Sequence, residues 1–371
     1  MHVTDLTVQG FKNISDITLM PDGEYNIIVG KNAQGKTNLL EAIWLMSGCR
    51  SFRGTRERDY IGFDKEKMQI IMHFMDARRS QYMIYELMRG GQRKLILNGV
   101  IQKSTAAFFE AFRCIVFTPD DIELIQGGPE KRRNFIDLCF SQIKPSYMDY
   151  VRRFDAITGQ RNAAIRTAII KKQPLPPLDV WDVQLAEVGA KISFWRRFYV
   201  QRLNAACGAL YSRITGGNEQ LTVEYASQIY KNYEFPDRPD EDMKQKYLDR
   251  LTAGAEDDFR VGYTLCGAGR DDVILKINGR SVKEYGSQGQ KKSTALVLKL
   301  AQAEIFRASM DDAPVILLDD VMGELDADRQ SLVLEIVRDM QVFITTCNEE
   351  AIISRSRGRT ITIAGGSVVG R

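Results

Sequence analysis

The apolar residues of the chain change period several times, and each change marks an element. Ile27 to Val29 is a short continuous apolar run, as a buried strand makes. A polar, glycine-bearing loop follows. Leu39, Leu40, Ile43 and Trp44 then recur at a spacing that predicts an amphipathic helix. From about residue 66 to 100 the segments MQIIMHFM, QYMIYELM and RKLILNG are rich in β-branched and aromatic residues, and Asn98-Gly99 is a hairpin signal, so antiparallel strands are expected. From Asp120 to about Ser212 the pattern is helical. It is broken by QPLPPLD at Gln173 to Asp179, which predicts an αα turn between two long helices. Neither half sustains a heptad repeat, which argues against a long coiled coil. Later, SQGQ precedes another helical pattern, Val315 to Leu318 and Val342 to Thr346 read as buried strands, and TITIAGGSVVGR reads as a closing hairpin. No internal repeat is visible.

Composition narrows this little. With 371 residues, two or more lobes are expected rather than one core. A net charge of +3 is close to neutral, so binding to nucleic acid would rest on local patches. Such patches exist. Pro129 to Gln173 carries ten Lys/Arg against four Asp/Glu, whereas Glu234 to Asp258 carries nine acids against four bases. Six cysteines with no CxxC pair point to reduced thiols in a cytoplasm and away from a zinc site. No apolar run reaches membrane-spanning length, so no membrane partner is expected.

Chemistry concentrates at three places. Gly30, Lys31, Asn32, Ala33, Gln34, Gly35, Lys36 and Thr37 fit GxxxxGK[ST] between a strand and a helix, with Asn38 next in line. The glycines let backbone N–H groups face phosphate oxygens, and the helix N-terminus adds partial positive charge. Lys36 would reach the β and γ phosphates of ATP, and the Thr37 hydroxyl would ligate Mg²⁺. The apolar strand at Val315 ends in Asp319, placed to hold Mg²⁺, and Asp320, placed to polarise the attacking water. The third place is GSQGQ at Gly286 to Gln290. Taken alone it reads as a loop and a helix cap; its Ser287 has no nearby histidine in sequence to activate it as a nucleophile.

The order of phosphate loop, long insertion, SQGQ with helix, Asp-Asp strand and GELD is that of ATP-binding-cassette ATPases. TVQGFKNISDITL, GCRSFRG, FTPDDIELIQGGPEKRRNFID, YGSQGQKKSTALVLKLAQAE and ILLDDVMGELDADR together resemble the RecF family of bacterial recombination and repair ATPases, across nearly the whole chain. The resemblance implies an α/β fold with a cassette-type head at 1–118 and 272–371 and an inserted, mainly helical second lobe at 119–271. It implies that Ser287, Gly289 and the start of the following helix, in a site that Gln290 helps to shape, cap the γ-phosphate of ATP held by a second copy of the chain, and that Asp326 bonds across the same interface. It also implies an ATP-dependent homodimer that clamps double-stranded or gapped DNA, releases it by slow hydrolysis, and works with mediators of the RecR and RecO type. Cassette ATPases commonly carry glutamate where Asp320 stands, and a switch histidine where this chain reads Thr345, Thr346, Cys347 and Asn348. No role is assigned to Cys347 or Asn348. Lys12 is a candidate phosphate or adenine contact, and Gln126 a candidate Mg²⁺-sensing glutamine. For DNA the candidates are Arg50, Arg53 and Arg56, with Arg58 in the same cluster, and Lys131, Arg132, Arg133, Arg152 and Arg153. The alternative is a nucleotide-binding motor subunit of another cassette system, such as a transporter. The absent histidine, Asp320 and the basic lobe argue against it. A metabolite kinase would have no use for the signature segment.

Overall fold

The computed structural model describes residues 1–347 and 358–369. The chain forms two units, Met1–Asp121 with Lys299–Arg371, and Ile122–Leu298.

In the first unit, β1 (His2–Phe11), β2 (Ile14–Leu19), β3 (Tyr25–Val29), α1 (Lys36–Leu45), β4 (Lys67–Met75), β5 (Ser80–Met88), β6 (Arg93–Leu97), β7 (Val100–Ile101), α2 (Ala106–Ala111) and β8 (Cys114–Phe117) follow in order. One six-stranded sheet runs β2-β1-β4-β5-β6-β7, antiparallel at each pairing. Its β4 and β5 alternate buried and open positions, as one-sided strands must. The expected hairpin at Asn98 and Gly99 is present, both residues holding positive φ.

The second unit holds α3 (Glu123–Gln126), α4 (Pro129–Ile143), α5 (Tyr147–Ile170), α6 (Asp179–Thr215), β9 (Leu221–Ala226), α7 (Glu241–Ala253), α8 (Ala255–Val261), β10 (Asp272–Ile277), β11 (Arg280–Ser281), α9 (Val282–Tyr285) and the start of α10 (Gln288–Ser309). The αα turn predicted at Gln173 to Asp179 joins α5 to α6. Three buried arginines tie the elements of this unit together. Arg161 Nε donates to Asp182 Oδ1 at 2.6 Å and its Nη1 to Asp258 Oδ2 at 2.7 Å. Arg196 forks onto both oxygens of Asp137 at 2.8 and 2.7 Å, and Arg132 onto those of Asp272 at 2.8 and 2.9 Å. Tyr247 of α7 lies so close to α6 that a Cβ at Gly189 would fall 2.3 Å from its ring, so only glycine fits there.

The chain returns to the first unit through the rest of α10, then β12 (Val315–Asp319), α11 (Ala327–Ile336), β13 (Val342–Thr346), β14 (Gly358–Ala364) and β15 (Ser367–Val368). A second six-stranded sheet runs β15-β14-β3-β13-β12-β8, parallel from β14 to β8, with β15 antiparallel at its edge. The closing hairpin turns at Gly365-Gly366, as expected; its last two residues and Asn348 lie outside the described residues.

Two expectations are corrected here. The return to the head was placed at 272, but β10 pairs along its whole length with β9, so 272–298 stays with the helical unit and takes the signature with it. Arg132 was expected on a DNA-facing surface. It is 7% exposed, and its bidentate bond to Asp272 leaves it no free face for phosphate. Among the described residues no helix is long and apolar enough to cross a membrane. Five of the six cysteines are buried, and all six are free thiols.

Candidate nucleotide site

The parallel register decides what meets what. Ile28 lies opposite Thr345, and Thr345 opposite Asp319, so the carboxyl ends of β3, β13 and β12 come together. The loop Gly30 to Thr37 rises from the first of these. Gly30 is forced by β14, because a Cβ there would stand 2.3 Å from the Ile363 carbonyl oxygen. Gly35 has φ 110, which only glycine adopts at low cost, and Ala33 at φ 62 completes the wrap. The loop is braced from outside. Asn13 Nδ2 donates to the Ala33 carbonyl at 3.1 Å, Asn38 Nδ2 to Asn13 Oδ1 at 2.7 Å, and Gly365 N to Gln34 Oε1 at 2.6 Å. Lys31 and Asn32 are exposed on its outer side.

Lys36 is buried. Its ammonium donates to the Gly30 carbonyl at 2.8 Å, to the Lys31 carbonyl at 3.2 Å and to Cys347 Sγ at 3.2 Å; the thiol in turn donates to Asn32 Oδ1 at 2.9 Å. These bonds hold the cation inside the loop. Lys36→Met keeps the length and removes the charge. It is expected to weaken ATP binding by about tenfold to a hundredfold, the worth of a charged hydrogen bond. Titration with a fluorescent ATP analogue reads this directly, and unchanged affinity would remove Lys36 from the site.

Thr37 Oγ1 donates to Asp319 Oδ1 at 2.8 Å. Thr345 Oγ1 donates to the same oxygen at 2.9 Å and accepts from Asp320 N at 2.8 Å. One buried hydroxyl therefore fixes both acids, a connection not read from the sequence, where Thr345 is only a small polar residue at a strand end. Burial pushes the Asp319 carboxyl above its ordinary range, against the pull of the Thr37 and Thr345 hydroxyls. A hydroxyl and a carboxylate oxygen at this spacing are hard donors of the kind that would suit Mg²⁺. Among the described residues no group of three or more His, Cys, Asp or Glu is placed to hold a metal.

Asp320 is half-buried, at φ 52. Arg53, expected as a DNA contact, reaches toward Asn38 Oδ1 at 3.4 Å and its charge acts on Asp319. Lys12 does not offer a free cation. Its ammonium is 2.5 Å from Glu41, which is fully buried, and also donates to Thr55 at 3.2 Å, so the expectation of a phosphate or adenine contact is corrected.

The signature segment belongs to the helical unit. Ser287 N donates to Gln290 Oε1 at 2.8 Å and Gln290 N to Ser287 Oγ at 3.2 Å, a reciprocal capping box that starts α10. Gln290 Nε2 also reaches Glu219 at 2.8 Å, and Gln126 Nε2 reaches Gln288 at 3.4 Å. Asp326 caps α11, accepting from Arg329 N at 2.9 Å and pairing with its guanidinium at 2.6 Å. Of the other candidate DNA cations, Arg50, Arg56 and Lys131 are exposed. Arg152 and Arg153 are exposed beside Asp149 and Glu187, and Arg133 is half-buried, donating to the Asp271 carbonyl at 2.8 Å.

Residues 2–365 match the RecF/RecN/SMC N terminal domain family. The DNA replication and repair protein RecF of Acetivibrio thermocellus is 31% identical over 98% of both chains, and that of the Synechococcus strain JA-2-3B'a(2-13) is 35% identical over 93% of this chain and 91% of its own. A solved structure of the recombination mediator protein RecF with ATP in the RecFOR pathway superposes with a TM-score of 0.90 at 32% identity, covering 99% of this chain and 97% of that one. An Smc head in complex with the winged-helix domain of ScpA shares the fold, with a TM-score of 0.56 at 16% identity over 100% of this chain and 97% of that one.

Proposed function

Because the chain belongs to the RecF family, a group of DNA replication and repair proteins with an SMC-like ATPase head, we propose that it is an Mg²⁺-dependent, slow ATPase whose ATP-bound form is a two-fold symmetric dimer closed on DNA. Lys36 and the loop N–H groups bind the phosphates. Thr37 and Asp319 would hold the cation, which when bound would supply charge neutralisation at the phosphates. Asp320 takes the proton of the attacking water. Ser287 and Gly289 of each copy close on the γ-phosphate held by the other, so nucleotide and dimer stabilise one another. Asp326 lies near that interface. Hydrolysis opens the clamp. Double-stranded DNA with gaps or junctions is the substrate surface, and mediators of the RecR and RecO type are the partners.

The observation that carries the trans arrangement is Gly289. A Cβ at Gly286 would collide with the Val282 carbonyl oxygen at 2.5 Å, so the fold needs that glycine. At Gly289 the nearest atom is 3.9 Å away and φ lies outside the left-handed region. Glycine costs helix stability there and the chain itself gains nothing from it. An external group approaching the exposed turn accounts for it.

The test is solution mass by light scattering, with and without ATP, for the wild type and Ser287→Arg. ATP is expected to convert monomer to dimer in the wild type only, while both proteins bind ATP. A wild type that stays monomeric with ATP bound would reduce the segment to a helix cap.

A further inference from the structure

Phe63 is 94% exposed, the most exposed large apolar side chain among the described residues. Its backbone is firmly held. Gly62 to Lys65 form a turn closed by Lys65 N onto the Gly62 carbonyl at 3.0 Å, and Gly62 N bonds the Gly10 carbonyl of β1 at 2.8 Å. Arg89 spends its guanidinium on this turn alone among the described partners: Nη2 donates to the carbonyls of Gly62, Phe63 and Lys65 at 3.0, 2.7 and 2.8 Å, and Nε to that of Lys65 at 3.0 Å. Gly62 admits no side chain, since a Cβ would stand 2.8 Å from the Lys12 carbonyl oxygen. A loop built this way fixes the backbone that carries the ring.

The arginine loop is anchored to the same place. Lys12 N donates to the Tyr60 carbonyl at 2.8 Å, Lys12 Nζ to Thr55 at 3.2 Å, and Ser51 N to Tyr60 Oη at 2.9 Å. Arg50, Arg53, Arg56 and Arg58 are all exposed on that loop, three residues or more before Gly62, and Lys65 and Lys67 are exposed just beyond it. Between Arg50 and Lys67 there are six cations and four acids, and one of the acids, Glu57, is engaged by Tyr85 and Arg93. An exposed aromatic ring on a held backbone beside cations matches a ligand that offers phosphates and a flat π-face together.

We propose that Phe63 is a base-stacking probe that recognises the exposed base at a gap or duplex end. This rests on the DNA-binding reading above and deepens it. Within an intact duplex the bases are already stacked, so insertion must first unstack a step. At a gap edge a base face is open and the ring stacks without that cost. A turn already held by Arg89 loses little backbone freedom on binding. The arginines then supply affinity for any duplex, and Phe63 supplies the preference for interrupted ones.

The experiment compares wild type, Phe63→Ala, Phe63→Trp and Arg56→Glu in the presence of ATP and Mg²⁺. Anisotropy gives binding to an intact duplex and to the same duplex with a gap, and 2-aminopurine at the gap-edge base reports stacking. Phe63→Ala is expected to lose roughly tenfold on the gapped duplex, to bind intact duplex and ATP like the wild type, and to abolish the 2-aminopurine change. Phe63→Trp should restore both. Arg56→Glu should weaken both DNAs and lower the salt dependence. If Phe63→Ala matches the wild type on both DNAs, or weakens both equally, the probe is overturned while Arg56→Glu still reports on DNA binding. If Phe63→Ala instead prevents ATP-dependent dimerisation, the ring belongs to a contact between copies and the proposal fails. A wild type that binds neither DNA overturns the DNA-binding reading itself.

Discussion

Asp320→Asn is expected to bind ATP as the wild type does and to lose hydrolysis by a factor of about a hundred to ten thousand, the usual contribution of a general base. The substitution is clean for a backbone reason. Asp320 sits at φ 52, a region in which asparagine and aspartate are the best tolerated of the non-glycine residues. The bond from its N–H to Thr345 survives, since it does not involve the side chain. The variant should therefore fold, bind nucleotide and persist as the ATP-bound dimer. Phosphate release and light scattering on the same sample read both halves of the expectation. Turnover at the wild-type rate would remove Asp320 from the chemistry. The same dihedral offers a reason for aspartate where cassette ATPases commonly carry glutamate. The left-handed position favours the shorter side chain, and the shorter reach to water fits slow turnover.

Arg161→Met is expected to cost the protein about 3–5 kcal/mol, because it strands charge in the interior. Arg161 is fully buried between Asp182 and Asp258, and its Nη1 also reaches Thr264 at 2.9 Å. Without it both carboxylates remain where water does not reach, and burial already pushes Asp182 above its ordinary range. Urea denaturation followed by circular dichroism should show the midpoint fall. Adding Asp182→Leu and Asp258→Asn to the same chain should recover part of the loss, since a removed ion cluster is cheaper than a broken one. A single variant as stable as the wild type would show that the cluster is not held by its charges.

The glycine-rich loop and the buried arginines mark where sequence reading succeeds and where it stops. That Gly30 to Thr37 would meet Asp319 could be read because the signals are local: eight consecutive residues make the loop pattern, and an apolar run delivers an acid to a strand end. Arg132 and Arg161 could not. A charge count treats every arginine as solvated, whereas the partners that bury these two, Asp272 and Asp258, lie 140 and 97 residues away. Lys12 failed for the same reason, its mate Glu41 being hidden on the inner face of α1. The domain boundary slipped because DVILKI reads as a strand but does not announce that Leu221–Ala226 is its neighbour. Phe63 was passed over because one aromatic in a polar loop has no pattern; only its clamp by Arg89 marks it.

The strand order also sets a timetable. β3, which carries the phosphate loop, has β13 and β14 as its two neighbours, and both come from the last thirty or so residues of the chain. During synthesis the loop is made early and waits. The contiguous helical unit can fold as it emerges, while β3 stays an apolar strand with both edges open. A ribosome stalled before Val342 holds a nascent chain that has every residue of the phosphate loop and no neighbour for the strand beneath it. On the nucleotide-binding reading, the loop thus waits for β13 and β14 to be made, and a chain cut short of them exposes an open-edged apolar strand of the kind chaperones bind.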